Sequence, residues 1–353
     1  MKYFEMFAGV GGFGLGLPKN WECVGFSEND KYASMVLKYN FPNIKNYGDI
    51  TKIKWNEVPD FDLFTGGSPC QDFSIAGKRR GLIGAKSSLA WEFIRGLRDK
   101  QPKYFIWENV KGVLSSRGGW DFANILIAFS ESGYALWWQV LNAKDFGVPQ
   151  NRERIFVIGF RDENPKEVFF EREYSKTTSE QDGNELREQV ANTLQTNYSN
   201  GYSNETYIQV QNKGASQHYR VYGQDGLAPT LQSQSGMSSQ KHPFIVASRG
   251  KNPQNPKSRK SGLPTEQMLE PNLEGTSNAL TSVEKDNYVF DGQVRKLMPI
   301  ECERLMSWPD NHTKWGINEK GEKVEISDSQ RYKMCGNGVV SNVIKELAQQ
   351  VLL

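Results

Sequence analysis

KYFEMFAGVGGFGLGL, residues 2–17, sets an apolar strand against a glycine-rich turn and the opening of a helix. Gly9, Gly11 and Gly14 satisfy G-x-G-x-x-G directly after the strand. Glycines let the backbone turn tightly and approach a ligand without a Cβ collision. Glu28 follows 19 residues after Gly9, at the end of the next apolar segment, ECVGFSE (22–28), where a carboxylate can accept both ribose hydroxyls. Strand, turn, helix and acid in this order point to a nucleoside-containing cofactor. The plainer alternative is a tight turn with a core-packing helix and an incidental surface acid. NAD, FAD and S-adenosylmethionine all use such an acid, so the segment alone leaves the cofactor open.

Outward from this segment the same alternation continues to about Arg161. Segments 2–7, 22–28, 62–67, 104–109, 135–141 and 154–160 read as strands of a largely buried sheet, and 31–41, 87–100 and 121–133 show apolar spacing near 3.6. Asp121 stands at a plausible N-cap of the last of these helices, and Gly133 at its end. Strands alternating with helices predict an α/β fold with a mostly parallel, doubly wound sheet. From about Asp162 to Gly292 the texture changes to Gln, Asn, Ser and Gly. Three pieces, 190–208, 227–245 and 276–289, each set a small-residue–Leu step before a polar stretch and a short apolar strand. That recurrence favours a smaller, irregular β-rich domain over a linker. Within it, RGKNPQNPKSRKSG (249–262) carries five basic residues and no acid, and reads as a loop suited to phosphate contact. Helical spacing returns in 298–308 and in the final segment, 336–353.

Composition bounds the rest. The 353 residues, 37% hydrophobic and 12% aromatic, can fill a sizeable core and fit two domains. No run of about 18 apolar residues occurs, as a membrane span would need. Four cysteines (Cys23, Cys70, Cys302, Cys335) lie far apart and only three histidines exist, so metal clusters and His-led triads have little material. A net charge of +2 demands no polyanionic partner by itself.

The second decisive group of motifs begins after segment 62–67 with Gly66-Gly67-Ser68-Pro69-Cys70-Gln71-Asp72-Phe73-Ser74. Glu108-Asn109-Val110 follows 38 residues beyond Cys70, then Gln150-Asn151-Arg152-Glu153-Arg154, and finally Gly336-Asn337-Gly338-Val339-Val340. With FAGVGGFGLGL, Gly48-Asp49-Ile50 and the Arg295–Asp310 stretch (RKLxPxECxRLxxxPD), these resemble the cytosine-5 DNA methyltransferase family of prokaryotes and phages, over about 200 residues at both ends of the chain. The resemblance implies a Rossmann-like S-adenosylmethionine-dependent methyltransferase domain of residues 1–165 completed by 312–353, with 166–311 as the target-recognition, DNA-binding domain. The implied reaction is methyl transfer from S-adenosylmethionine, leaving S-adenosylhomocysteine, to C5 of a flipped-out cytosine in a specific duplex sequence, with no metal.

The residues make independent chemical sense. A pyrimidine C5 is a poor nucleophile until a thiolate adds at C6 and turns the ring into an enamine. Cys70, beside Pro69 at a strand end near the cofactor edge, is the expected nucleophile; an inert buried thiol is the bland alternative, which Cys23, Cys302 and Cys335 fit better. Glu108, in the apolar strand YFIWEN, is expected to hold a raised pKa and to hydrogen-bond N3. Alternatively it is a strand-end partner of Arg152 or Arg154, and the two roles are compatible. Arg152 and Arg154, two apart on a strand, can face one pocket, where the resemblance implies that they hold the base carbonyl and the catalytic geometry.

For the cofactor, the resemblance implies Phe7, Gly9, Gly11, Gly12, Glu28, Asn29, Asp49, Ile50, Pro69, Leu89, Asn337 and Val339. Glu28 would bind the ribose and Asp49 the adenine amine, while Asn29 departs from the tryptophan often found there. For DNA it implies Gln71, Ser74, Lys78, Arg79 and Arg80 in a glycine- and cation-rich loop, and Arg220, Thr230 and Leu231 in the recognition zone. The expected partner is double-stranded DNA, with a cognate restriction endonuclease sharing the target sequence but forming no stable complex. A monomer in a prokaryotic cytoplasm, away from membranes, is expected. A dehydrogenase rests only on G-x-G-x-x-G and lacks a catalytic His, Lys or Tyr constellation. A transfer-RNA enzyme is disfavoured by a recognition zone of about 130 residues, and a silent DNA-binding regulator by the intact catalytic motifs.

Overall fold

The computed structural model of the chain describes residues 1–69, 89–162, 244–251, 266–271, 276–282, 287–290 and 294–352. Six strands form the central sheet: β1 (Lys2–Met6), β2 (Glu22–Ser27), β3 (Leu63–Gly67), β4 (Tyr104–Val110), β5 (Ala135–Asn142) and, after the two-residue β6 (Gln150–Asn151), β7 (Glu153–Phe160). Their order is β2-β1-β3-β4-β7-β5. The first four run parallel, and β7 lies antiparallel between β4 and β5.

Successive strand residues point to opposite faces, and here both faces are apolar. Tyr3, Leu63, Ile106, Phe156 and Ile158 enter one core; Phe4, Phe64, Phe105, Trp107, Ile155 and Val157 enter the other. Strands buried on both sides read as near-continuous apolar runs, which is why they were legible. The first core is covered by α1 (Gly12–Gly16), α2 (Lys31–Asn40) and three C-terminal helices, α5 (Pro299–Leu305), α6 (Asp328–Asn337) and α7 (Ser341–Leu347). The second is covered by α3 (Leu89–Lys100) and α4 (Trp120–Glu131). The sheet is doubly wound and mostly parallel, as expected.

Local readings differ in four places. Gly119, at φ +95°, is the N-cap of α4, while Asp121 lies buried in the first turn and accepts a hydrogen bond from Ser116 Oγ at 2.5 Å. β5 ends the sheet, so its Trp138 is 46% exposed instead of buried. The run 336–353 is not one helix: Gly336 and Asn337 close α6, extended backbone at Gly338 breaks the helix, and α7 starts at Ser341. Arg249, Gly250 and Lys251, read as part of a loop, belong to strand β8 (Phe244–Lys251), opposite Met268, Gln267 and Glu266 of β9 (Glu266–Pro271). Residues 252–262 of that stretch, including Lys257, Arg259 and Lys260, lie outside the described residues.

β8 and β9 form a separate antiparallel sheet with β11 (Tyr288–Phe290) and β12 (Val294–Lys296), in the order β12-β11-β8-β9. This is the smaller β unit expected in the middle of the chain. β10 (Ser277–Asn278) pairs in parallel with β6, and a hairpin of β13 (Trp315–Ile317) and β14 (Lys323–Glu325) follows α5.

The charged residues of the Arg295–Asp310 motif hold α5 in place. Arg295 grips buried Glu301 with two hydrogen bonds of 2.9 Å, and Arg304 chelates Asp310 at 2.8 and 2.7 Å. Glu303, fully buried, accepts from Asn311 N at 2.7 Å, Thr313 N at 2.9 Å, the Thr313 hydroxyl and Arg331 at 3.1 Å. Removing one partner of a buried, hydrogen-bonded pair strands the other charge, so Glu303→Ala should cost about 3–5 kcal/mol of stability. A urea denaturation midpoint unchanged from that of the parent chain would contradict this account of α5.

Candidate active site

Strand ends meet at the site in two pairs, β1 with β2 and β3 with β4. At the end of β1 the chain enters the glycine turn, with Phe7 at φ +54°, Gly9 at φ +56° and Gly11 at φ +86°. Gly11 is the N-cap of α1, and no residue with a Cβ adopts its left-handed conformation without strain. Two carboxylates suspend this turn. Glu5, fully buried in β1, accepts from Phe13 N and Gly14 N at 3.1 Å each. Burial pushes its carboxyl up to about 8, opposed by those two amides. Glu28, at the end of β2, accepts from Gly9 N and Asp30 N at 2.7 Å each. Desolvation raises the Glu28 pKa, and these backbone donors oppose the rise.

Asn46 ties the next loop to Glu28. Its Oδ1 accepts from Glu28 N and Gly48 N at 3.0 Å each, and its Nδ2 donates to Glu28 O at 3.0 Å. Asp49 caps the short turn Ile50–Lys52 through Thr51 N and Thr51 Oγ1, and these bonds hold its carboxyl below the usual range. A Cβ built on Gly9 or Gly48 would meet no atom within 4 Å, so both face open space beside Glu28. Asn29 and Asn337 are exposed, Phe7 and Leu89 half-buried, and Ile50 buried. A cradle of glycine backbone rimmed by carboxylate acceptors fits a ligand that carries ribose hydroxyls and an exocyclic amine.

The second pair is that of β3 and β4, where Gly67 pairs with Glu108. A Cβ on Gly67 would lie 2.6 Å from Glu108 Oε2, so the glycine makes room for the acid. Glu108 is 13% exposed and meets Arg154 Nε at 3.1 Å. Desolvation raises its pKa; Arg154 and then Arg152 oppose the rise. A carboxyl in this state holds its proton to higher pH than a solvated one does.

Arg152 and Arg154 take different work. Arg154 lies on the acid, whereas the Arg152 guanidinium, 3% exposed, donates to Leu280 O at 2.9 Å, Gly336 O at 3.0 Å and Gly338 O at 2.6 Å. Gln150 beside it is fully buried, donating to Leu305 O at 2.7 Å and accepting from Leu280 N at 3.1 Å. The QxRxR segment therefore bolts the last third of the chain onto the sheet. That third closes the glycine turn: Val339 packs on Gly12, Ser341 Oγ donates to Gly12 O at 2.8 Å, and His312 Nε2 bonds Val10 O at 2.8 Å. Burial lowers the His312 pKa.

Of the residues expected from the sequence, Phe7, Gly9, Gly11 and Gly12 form the turn, Glu28 bonds it and Val339 packs on it; Asn29 follows Glu28, Asp49 and Ile50 lie on the next short turn, Asn337 ends α6, Leu89 opens α3, and Glu108, Arg154 and exposed Pro69 lie on β4, at the start of β7 and after β3. Cys70, Gln71, Ser74, Lys78, Arg79, Arg80, Arg220, Thr230 and Leu231 lie outside the described residues. Cys302 and Cys335 are buried thiols, and burial pushes half-buried Cys23 up to about 12. Sequence reasoning missed Glu5, Asn46 and His312. Only Glu5 carried a signal, an acid inside an apolar strand, the same one that marks Glu108.

Among protein families, the one described as C-5 cytosine-specific DNA methylase matches residues 1–352. The chain is 31% identical over 361 residues to the type II methyltransferase M.HhaI of Haemophilus parahaemolyticus, covering 99% of this chain and 94% of that protein. It is 29% identical over 444 residues to the orphan methyltransferase M.SPRI of Bacillus phage SPR, covering 100% and 97%. Among solved structures, it superposes on the Entamoeba histolytica methyltransferase EhMeth with a TM-score of 0.58 at 15% identity, covering 99% of this chain and 97% of that one. The S. pombe Dnmt2 methyltransferase gives the same TM-score of 0.58, also at 15% identity. At that identity the likeness bears on the fold, a Rossmann-like methyltransferase fold.

Proposed function

The chain belongs to the C-5 cytosine-specific DNA methylase family, and from that footing we propose that it methylates C5 of a flipped-out cytosine in a specific duplex sequence through a covalent bond from Cys70 to C6. Glu108 carries the reading: a nearly buried acid with a raised pKa, held by Arg154 over Gly67, two residues before Pro69 and three before Cys70. S-adenosylmethionine, when bound, supplies an electrophilic methyl group. Glu28 would accept from its ribose hydroxyls and Asp49 from its adenine amine. Gly9, Gly11 and Gly12 let the backbone approach, Phe7, Ile50, Leu89 and Val339 line the apolar parts, and Asn29, Pro69 and Asn337 complete the rim.

Cys70, as thiolate, donates an electron pair to C6 of the target ring. Glu108 gives its proton to N3, so that the pair pushed into the ring ends as an enamine and not as a localised anion. Arg154 then holds the carboxylate that remains and faces the base carbonyl; Arg152 acts through the backbone it grips. With C5 alkylated and S-adenosylhomocysteine as the leaving group, water takes the C5 hydrogen as a proton, the freed pair restores the C5–C6 double bond and expels the Cys70 thiolate, and N3 returns its proton to Glu108. A charged site closed from water strengthens each of these interactions.

Residues 1–165 with 312–353 are the catalytic unit and 166–311 the target-recognition unit, although Leu297, Cys302, Leu305, Met306 and Trp308 pack in the first core of the catalytic sheet. Gln71, Ser74, Lys78, Arg79 and Arg80 contact the target base and its phosphates, and Arg220, Thr230 and Leu231 contact the duplex. The protein acts as a cytoplasmic monomer, with any restriction endonuclease partner meeting it only through a shared target sequence. Bisulfite sequencing of plasmid from cells expressing the chain tests the whole reading; unprotected cytosines at every site would overturn it.

Base edges specify sequence and phosphates only position the duplex. Exchanging residues 170–292 for the matching zone of a relative should therefore change the methylated sequence with catalysis intact. Neutralising Lys257, Arg259 and Lys260 should weaken binding to all sequences alike and flatten its salt dependence. A changed target cytosine in that triple variant would instead make the stretch a base reader.

A further inference from the structure

The ladder between β3 and β4 ends at the Gly67–Glu108 pair, and Pro69 has no N–H with which to extend it. Ser68, between them, is 5% exposed. Its carbonyl accepts from Asn109 Nδ2 at 3.1 Å, and its hydroxyl accepts from Asn109 Nδ2 at 2.9 Å and from Trp107 Nε1 at 3.2 Å. Asn109 is 1% exposed and Trp107 fully buried. The Trp107 indole stands edge-on to Phe129, centroids 5.9 Å apart, which fixes the direction of its N–H. Asn109 Oδ1 in turn accepts from Val110 N at 2.9 Å. Along β4, Trp107 and Asn109 alternate with Glu108, so the two donors and the acid leave opposite faces of three successive residues.

We propose that Ser68, gripped by Trp107 and Asn109, is a positioning residue that fixes the chain entering Cys70 relative to Glu108, so that thiolate and acid meet the same ring. The inference rests on Cys70 being the nucleophile. Where the ladder stops, two side chains of β4 substitute for it. The serine hydroxyl is their shared acceptor, and without it two buried N–H groups lose a partner.

The test measures the rate of covalent trapping by the full chain, with S-adenosylmethionine, on duplex DNA carrying 5-fluorocytosine at the methylated position. Small misplacements of a reacting group cost up to about 10²-fold, so Ser68→Ala should trap roughly 10- to 100-fold more slowly. S-adenosylhomocysteine affinity and DNA affinity should stay at parent values. Trp107→Phe, which removes the N–H along with part of the buried ring, should slow trapping as well. The double variant should be no slower than Ser68→Ala alone in its loss of positioning, because the hydrogen bond that Trp107→Phe removes is already absent without the serine hydroxyl, and Ser68→Thr should recover most of the rate. Trapping by Ser68→Ala at the parent rate would overturn the proposal. So would effects of the two single changes that multiply, or cofactor affinity falling as far as the trapping rate. The underlying assignment fails differently: the parent chain would not trap, or Cys70→Ser would.

Discussion

Cys70→Ser leaves a protein that binds cofactor normally and transfers no methyl group. Removing a covalent nucleophile costs on the order of 10⁶-fold in turnover in a well-studied hydrolase, and a hydroxyl, far less acidic than a thiol, cannot supply the attacking anion at neutral pH. Apart from Pro69, the proposed cofactor contacts come from other segments: the turn at Gly9–Gly12, Glu28 just after β2 and Val339 after α6. S-adenosylhomocysteine titrated calorimetrically into the variant should give the parent affinity, while transfer of radiolabelled methyl to duplex DNA falls to background. Measurable turnover above that background, or trapping on 5-fluorocytosine DNA, would remove Cys70 from the mechanism.

Glu108→Gln is expected to lower methyl transfer by about 10²–10⁴-fold, the range for a lost general acid, with DNA binding retained. Glutamine keeps the shape over Gly67 and can still donate a hydrogen bond to N3, but it has no proton to give. The pH profile separates the two functions. The folded-state pKa of Glu108 is raised, chiefly by desolvation, so the protonated form persists to higher pH than in a solvated carboxyl. Activity that needs this proton is full below that pKa and lost as pH rises through it. The parent kcat should therefore show an alkaline limb that the glutamine variant lacks. Equal turnover in parent and variant would reduce Glu108 to a structural partner of Arg154.

The sequence was most legible where both faces of a strand are buried, because β1, β3, β4 and β7 then appear as near-continuous apolar runs with few competing readings. The glycine turn, Glu28, Glu108 and Arg154 were legible because a strand end followed by a tight turn leaves a strong local mark. Arg152 was half legible. Period two put it beside Arg154, but its carbonyl partners are 128 to 186 residues away, and nothing local announces them. His312 and Asn46 were invisible for the same reason: each acts on a backbone atom that only the folded chain brings near. Asp121 misled because an acid at a helix start resembles a cap, whereas glycine at positive φ does that work here.

The two walls of the cofactor cradle are far apart in time as well as in sequence. Ser341 and Gly12, joined by one hydrogen bond, are separated by 329 positions, so a ribosome releases the glycine turn long before it makes the residues that close it. Until α6 and α7 dock, Gly12 has no Val339 against it and the carbonyls of Gly336 and Gly338 cannot meet Arg152. Such non-local closure slows folding. It also means that an unfinished chain displays the turn and Glu28 without Val339 and Ser341 against Gly12. On the proposed function, competence to modify DNA thus arrives late in translation, after the proposed recognition segment has been made.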